Sequence, residues 1–323
     1  MTTTILLLSV DEAPMLAYSL PAAVMQDHAE VVVIDNASTD NTRDLASEHG
    51  AQYVRLPERR SYAAAMNEAI ARTKGDAVLF LNADCFLAPD FLARARPRLE
   101  EDGVGAVAGR LLRVDGPVMG SPTEIDAAGM VVDRRRKNTI VGHGRPSGAH
   151  GRPGEAFGAD GAAALYRRDV LDRCALEPAP TGSGFPEVLD EDMALWATDA
   201  DLAWRMRLHG YRCAYEPSAI GRHVRTYSPS TRNQVAEHHR RLQFRNRYLM
   251  WAKNETGRGL LRDLPFVAAY EIAQLGYVAL FERHLLAGYR EVWAALPAAR
   301  ARRRQVQARR AVTRPPFGLE PPA

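Results

Sequence analysis

Short apolar runs alternate with segments of helical period over the first 115 residues. Ile5–Val10 predicts a buried strand and Pro14–Gln26 a helix, and Val31–Asp35 predicts a second strand, apolar until its last residue. Ser38-Thr39-Asp40 offers capping side chains for a helix that reaches about His49 and is ended by Gly50. Tyr53–Leu56 predicts a strand, Ser61–Thr73 a helix, Ala77–Leu81 a strand, and Pro89-Asp90 the start of another helix. Strands that are apolar throughout, rather than at alternate positions, are buried on both faces. The expectation is therefore an α/β fold with a mostly parallel central sheet and helices on both sides.

From Asp115 to about Gly158 the periodicity weakens into Gly, Pro and Arg, which predicts irregular hairpins at the open edge of the sheet. Regularity returns with a strand over Ala162–Tyr166 and a helix from Arg168 to about Cys174. A loop, an acidic stretch Asp190–Asp201, a helix to Gly210 and a last strand-like piece over Tyr211–Glu216 follow. Gln234–Lys253 predicts a charged helix, and Leu264–Phe281 a strongly apolar one that carries Glu271 and Gln274 near its centre, against a full membrane span. The expected division is residues 1–230 as the α/β domain, 231–296 as a helical, membrane-interfacial region, and 297–323 as a basic, disordered tail.

Composition narrows the classes. With 323 residues, 46% of them hydrophobic and 25% charged, the chain is an ordinary globular one with a full core. A mean hydropathy of −0.28 excludes a polytopic membrane protein. The net charge of +3 conceals an asymmetry, because seven arginines lie between Arg300 and Arg314 while the remainder sums to 3 − 7 = −4. A basic arm of this kind suits an anionic membrane surface; it lacks the interleaved aromatics of a nucleic-acid binder, so no nucleic-acid partner is expected. Cys85, Cys174 and Cys213 are far apart and form no CxxC pair, which fits free thiols in a reducing compartment. The first apolar run is too short for a signal sequence and lacks a basic flank. The expected location is the cytoplasm, with a peripheral position on the inner face of the cell membrane.

In a parallel sheet, ligands bind beyond the carboxyl ends of the strands. Three polar groups stand at such ends: Ser9-Val10-Asp11, Asp35-Asn36 and Asn82-Ala83-Asp84. Any one of them also suits a turn or a helix cap; three on one edge favour a site. Asp84 is too far from Pro89-Asp90 to cap the next helix, and a carboxylate at a strand end suits Mg2+ or Mn2+ bound to phosphates. No GxxxxGK(S/T) loop and no GxGxxG turn follows a strand, so neither a P-loop nor a dinucleotide-binding fold is supported. A second constellation gathers Asp190, Glu191, Asp192, Asp199 and Asp201. Mutual repulsion there needs cations or function to offset it. Helix capping accounts for Asp201 and leaves Asp199 less well explained. His223 by itself reads as a structural histidine or as a ligand.

Together these residues resemble family 2 glycosyltransferases of GT-A fold, in particular the bacterial rhamnosyltransferase and galactofuranosyltransferase-like branch. Val32–Thr42 looks like the family's second-strand motif, Leu79–Asp84 like its DxD metal motif, and Asp199–Arg205 with Gly210-Tyr211 like its ED-x-DL-x-x-R segment. Pro217 and His223 look like its closing strand and metal histidine, and Arg245-Asn246-Arg247 fits the helix that follows. The resemblance covers about residues 4–255.

It implies an inverting, divalent-metal-dependent transfer of a sugar from a nucleoside-diphosphate donor to a hydroxyl of a glycan or lipid-linked acceptor. Asp35 would accept a hydrogen bond from the nucleobase with Ser9 lining the same pocket, and Asn82 would face the ribose. Asp84 and His223 would hold Mg2+ or Mn2+, Asp199 would be the general base, and Asp201 and Trp196 would contact acceptor or sugar. Three positions depart from the pattern: Thr198 replaces the usual Glu, Val10-Asp11 the usual Tyr-Asn, and Ser61 the usual Gly. Thr198 leaves open an altered acceptor site or a degenerate scaffold that binds the donor without turnover. A nucleotidyltransferase is disfavoured because Ser9–Met15 has neither Gly nor Lys.

Overall fold

The computed structural model describes residues 1–117, 120–180, 182–225 and 234–323. The expected domain boundary at residue 230 lies outside the described residues. Strands β1 (Thr3–Ser9), β2 (Ala29–Asp35), β3 (Gln52–Arg55) and β4 (Ala77–Asn82) alternate with helices α1 (Ala13–Val24), α2 (Thr42–Glu48) and α3 (Tyr62–Ala71). These four strands are mutually parallel in the order β4-β1-β2-β3. Their fully apolar character has the expected cause. Leu6, Leu8, Val32, Ile34 and Phe80 pack into one buried cluster, and Ile5, Leu7, Val31, Val33 and Leu79 into a second. Alternate residues of each strand thus enter different cores.

α2 begins at Thr42, later than the Ser38–Asp40 reading expects. Asp40 accepts instead from the Thr42 amide at 3.1 Å and from the Ala13 amide at 2.8 Å, tying together the starts of α1 and α2.

Beyond β4 come β5 (Cys85–Leu87), α4 (Phe91–Leu99), β6 (Val104–Arg113), β7 (Ile125–Ala127), β8 (Met130–Val132), β9 (Asn138–Ile140), β10 (Gly154–Ala156), β11 (Ala163–Arg167), α5 (Arg168–Cys174), α6 (Thr198–Leu208) and β12 (Arg212–His223). The sheet of ten strands is mixed, since β11 enters antiparallel between β4 and β6. β12 runs parallel to β6 and carries β5 and β10 antiparallel along it. Continuing past Pro217 to His223, it exceeds the short element expected at Tyr211–Glu216, and the register irregularity between Glu216 and Ile220 absorbs the proline.

Helices α7 (Glu237–Asn254), α8 (Gly257–Phe281) and α9 (Leu286–Ala308) complete the chain. Residues 297–323, expected to be a disordered tail, are ordered. Arg302 is buried among Glu187, Asp190 and Asp192, with its Nη1 2.5 Å from Glu187 Oε2. After α9 the chain returns across α6 and β8: the Ala311 amide donates to Leu208 O and the Gly318 amide to Val132 O. Phe317 stacks on Phe157, meets Trp204 edge-on at 5.0 Å and lies beneath the Arg136 guanidinium at 3.9 Å. The arginines that suggested a solvated arm are largely the partners of internal carboxylates and carbonyls.

Candidate active site

Parallel register sets the first part of the site. Ser9 lies opposite Asp35 across β1 and β2, and Leu8 opposite Asn82 across β1 and β4, so the three strand ends form one edge. Pairing of β5 with β12 then places His223 opposite Cys85, directly beside Asp84. His223 Nε2 is 3.2 Å from Asp84 Oδ1, and the Asp84 side chain is 22% exposed. The opposite ring nitrogen, Nδ1, is 2.8 Å from Asp126 Oδ2 on β7. A carboxylate on Nδ1 fixes the ring and directs Nε2 toward Asp84, the usual arrangement behind a metal-binding imidazole. Without an ion, burial works against the imidazolium, but the hydrogen bonds and charges of Asp126 and Asp84 outweigh it and raise His223 to about 9.

Asp126 is fully buried and also accepts from Arg225 Nε at 2.6 Å and Nη2 at 2.9 Å. Arg225 Nη2 reaches Asp160 Oδ2 at 3.0 Å, so one guanidinium bridges two carboxylates. Burial would raise Asp126, yet bonds from His143, His223 and Arg225 hold it far below the carboxylate range.

The chain around Asp160 leads to Asp199. Asp199 Oδ2 accepts from the Gly161 amide at 3.3 Å and Oδ1 from the Ala200 amide at 2.8 Å. Burial, and after it the charge of Asp160, raise this carboxyl to about 6, while the two amides and Arg225 oppose the rise. A carboxylate titrating near neutrality is suited to general-base work.

Asp199 sits at the start of α6, and the approach to that helix is strained. Ala194, Trp196 and Ala197 all have positive φ, at 59°, 53° and 60°. Non-glycine residues occupy this region only when the surroundings hold them there. Asn246 on α7 provides the hold: its Nδ2 lies 2.7 Å from Met193 O, 2.7 Å from Leu195 O and 3.0 Å from Trp196 O. Arg245 fixes the amide the right way round by donating to Asn246 Oδ1 at 3.0 Å. The Trp196 indole stays partly exposed, its Nε1 3.4 Å from His239 Nδ1.

Several expected residues have other surroundings. Asp201, expected at acceptor or sugar, is fully buried and bonded to Arg205 at 3.0 Å, Asn254 at 2.7 Å and Lys253 at 2.8 Å. It anchors α6 to α7 and opens onto no space. Ser9 is likewise buried, its Oγ 3.0 Å from Thr42 Oγ1, rather than lining a pocket. Burial would raise Asp35, but bonds from Tyr53, Ser38 and Arg55 hold it low. A nucleobase donating to it has to displace Arg55, which is half exposed. Asn82 remains partly exposed at the end of β4.

Sequence reasoning missed Asp126, Asp160, Arg225 and Glu12. Burial and the nearby Asp84 charge raise Glu12 to about 7, which marks the negative potential at this edge. Arg225 alone had a visible signal, two residues past His223 and just beyond the end of β12.

The donor set fits a hard divalent ion. A carboxylate oxygen and an oriented imidazole nitrogen face one point, within a cluster of excess negative charge. Among the described residues no three His, Cys, Asp or Glu side chains gather into a complete protein cage. Two protein ligands leave the other octahedral positions to phosphate oxygens and water, as Mg2+ and Mn2+ sites on nucleotides commonly do.

A mixed α/β sheet with acidic strand ends, a histidine on the closing strand and a helical appendage defines the GT-A class of fold. The sequence model of glycosyl transferase family 2 matches residues 4–174, more than half the chain, and the protein belongs to that family. Poly-β-1,6-N-acetyl-D-glucosamine synthase of Staphylococcus aureus is 24% identical over 204 residues, 61% of this chain and 43% of the relative. The corresponding synthase of Staphylococcus epidermidis is 24% identical over 202 residues, 59% of this chain and 42% of the relative. The chain therefore spans under half the length of these relatives. A mannosyltransferase of Pyrobaculum calidifontis, solved with GDP-Man and Mn2+, is similar in structure with a TM-score of 0.53 at 19% identity, covering 95% of this chain and 85% of that one. TarS of S. aureus in complex with UDP-GlcNAc gives a TM-score of 0.56 at 13% identity, with 96% and 88% covered.

Proposed function

We propose that the protein is an inverting, divalent-metal-dependent glycosyltransferase that moves a sugar from a nucleoside-diphosphate donor to a hydroxyl of a glycan or lipid-linked acceptor. The observation that supports this reading is the contact of Asp84 with His223, together with a separate carboxyl, Asp199, raised to about 6 at the start of α6 behind a strained turn. Mg2+ or Mn2+ held by Asp84 and His223 would neutralise charge on the departing diphosphate. Asp199 takes the proton from the acceptor hydroxyl as that oxygen bonds to the anomeric carbon. The bond from that carbon to the diphosphate breaks on the opposite face, so configuration inverts and the nucleoside diphosphate leaves with the bonding pair. Asn82 and Asp35 are the donor-side contacts of this reading. Trp196, an aromatic edge beside the base, is its acceptor-side contact.

A cytoplasmic position at the inner membrane surface follows from a lipid-linked acceptor. The resemblance to rhamnosyltransferases puts a rhamnosyl-type donor in the first panel to test, beside UDP-GlcNAc and GDP-Man. Calorimetric titration of UDP, dTDP, GDP and their sugars with and without Mn2+ tests the donor site, and product formation on candidate acceptors tests transfer. Metal-dependent binding of one nucleotide followed by turnover supports the reading. Binding with no product on any acceptor favours the degenerate scaffold that Thr198 raises, and no binding by folded protein removes the donor site.

A further inference from the structure

Helix α8 has one buried stripe and is otherwise bare. Gly259, Asp263, Val267 and Val278 are buried, at spacings that keep one face toward the body. The other faces carry Leu261, Leu264, Phe266, Ile272, Leu275, Leu280 and Phe281, with Leu261, Ile272 and Phe281 each about three-quarters exposed at 76%, 75% and 74%. Among the described residues α8 is the one helix long and apolar enough to cross a membrane, yet only 11% of its apolar window is buried. Exposed apolar surface on this scale is a binding surface.

The fold prevents α8 from spanning. Its first residue follows α7 after a two-residue turn. Val278 in its last turn and Leu285 just beyond it pack against Phe244 of α7, so both ends stay on the body. Charge identifies what lies against it. Asp263 is buried among Arg134, Arg136 and Arg314, Glu271 is bonded to Arg247 and Tyr248, and Glu282 is buried. Exposed arginines flank the apolar stretch, Arg258 and Arg262 at its start and Arg283 and Arg290 beyond its end. A second copy paired along this face, in either direction, would set arginine against arginine, and the acids of α8, Asp263 and Glu271, are already bonded to arginines of the body. An anionic bilayer meets both the apolar surface and the arginines.

We propose that α8 lies flat in the interface of an anionic membrane, its bare faces among the acyl chains and Arg258, Arg262, Arg283 and Arg290 at the headgroups. The docking element is α8 itself, not the chain after residue 297, whose Arg302, Arg309 and Arg314 are engaged internally.

The test is co-sedimentation of the full chain with vesicles of phosphatidylcholine alone and with about a third phosphatidylglycerol. The expected result is binding to the anionic vesicles, weakened about tenfold or more by Arg258→Glu with Arg262→Glu and lost in Ile272→Asp with Leu280→Asp. Those positions are exposed, so circular dichroism and melting of the variants should match the parent. Equal binding to both vesicles, or binding retained in both variants, overturns the proposal. So does absence of binding by the folded parent; a dimer in sedimentation velocity that Ile272→Asp dissociates would then assign the face to a second copy. Vesicle binding needs neither donor nor acceptor, so this outcome is separate from that of the transfer assay.

Discussion

Asp199 makes opposite demands on stability and on activity, and the conflict can be measured. Raising its carboxyl from 3.8 to about 6 corresponds to about 3 kcal/mol against the ionised form in the fold. The side chain keeps some contact with solvent, so about 3 kcal/mol is an upper bound. The sign follows from linkage. Between the unfolded and folded values the native state holds a proton that the unfolded chain has lost. Stability therefore falls as pH rises through that window and stays low above about pH 6. Asp199→Asn removes the charge while keeping an oxygen for the Ala200 amide. It should raise stability at about pH 8 by up to about 3 kcal/mol in urea melts, with little change at about pH 4, and should reduce kcat by several orders of magnitude with donor affinity intact. In the parent, the active ionised fraction is about a tenth at pH 5, half at pH 6 and nine tenths at pH 7. The plot of kcat/KM should rise with unit slope and level off above about pH 7. Four charged or titratable neighbours face the group: Asp160, Arg225, Tyr62 and Tyr166. Asp160→Asn should move the inflection down, because it removes a like charge and frees Arg225. A flat profile from about pH 5 to 8, undiminished turnover in Asp199→Asn, or an Asn variant less stable at about pH 8 would each refute the assignment.

The other expectations concern how the site is held. Asp84→Ala and His223→Ala should each weaken Mn2+-dependent nucleotide binding by about tenfold or more, read by calorimetry with and without the ion; equal metal dependence in both variants and the parent would remove the pair as ligands. Asn246→Ala takes the donor from three loop carbonyls and should cost about 1–3 kcal/mol of stability and lower kcat while donor affinity holds. If kcat is unchanged, the left-handed turn before α6 has no part in catalysis. Phe317→Ala, at the ring stacked on Phe157 and beneath Arg136, should lower Tm by several degrees, from about 1–3 kcal/mol; a melt identical to the parent would return residues 297–323 to a disordered tail.

Legibility divides along the kind of contact that made each feature. The first four strands and their helices were readable because their burial is local and two-faced, and a run such as Ile5-Leu6-Leu7-Leu8 has no other explanation. β6 was missed although Val104–Arg113 is nearly all buried, since its Ala and Gly carry no strand signal and only pairing with β11 and β12 makes it central. The arginines after residue 297 looked like a solvated arm because their partners, Glu187, Asp190 and Asp263, are more than fifty residues away. Polar pairing over such distances leaves no period in the sequence.

Asp199 and Asp201 make the same point within one turn of helix. Residues two apart on an α-helix point about 200° from one another, so a single acidic motif serves two opposite environments. Asp199 faces Gly161 just ahead of β11, where two amides, at 3.3 and 2.8 Å, and no cation among the described residues within hydrogen-bond reach leave burial and Asp160 to raise it. Asp201 faces α7 and is saturated by Arg205, Lys253 and Asn254. Spacing marked Asp201 as a helix cap and the family resemblance put both forward as site residues; only the packing of α7 separates them. The same helix supplies Asn246 to the strained turn at Ala194–Ala197, so α7 silences one carboxylate and holds the approach to the other. Unlocking α7 by Asn246→Ala should therefore disturb Asp199 while leaving the Asp201 ion pairs in place, a separation that the paired readouts of kcat and Tm resolve.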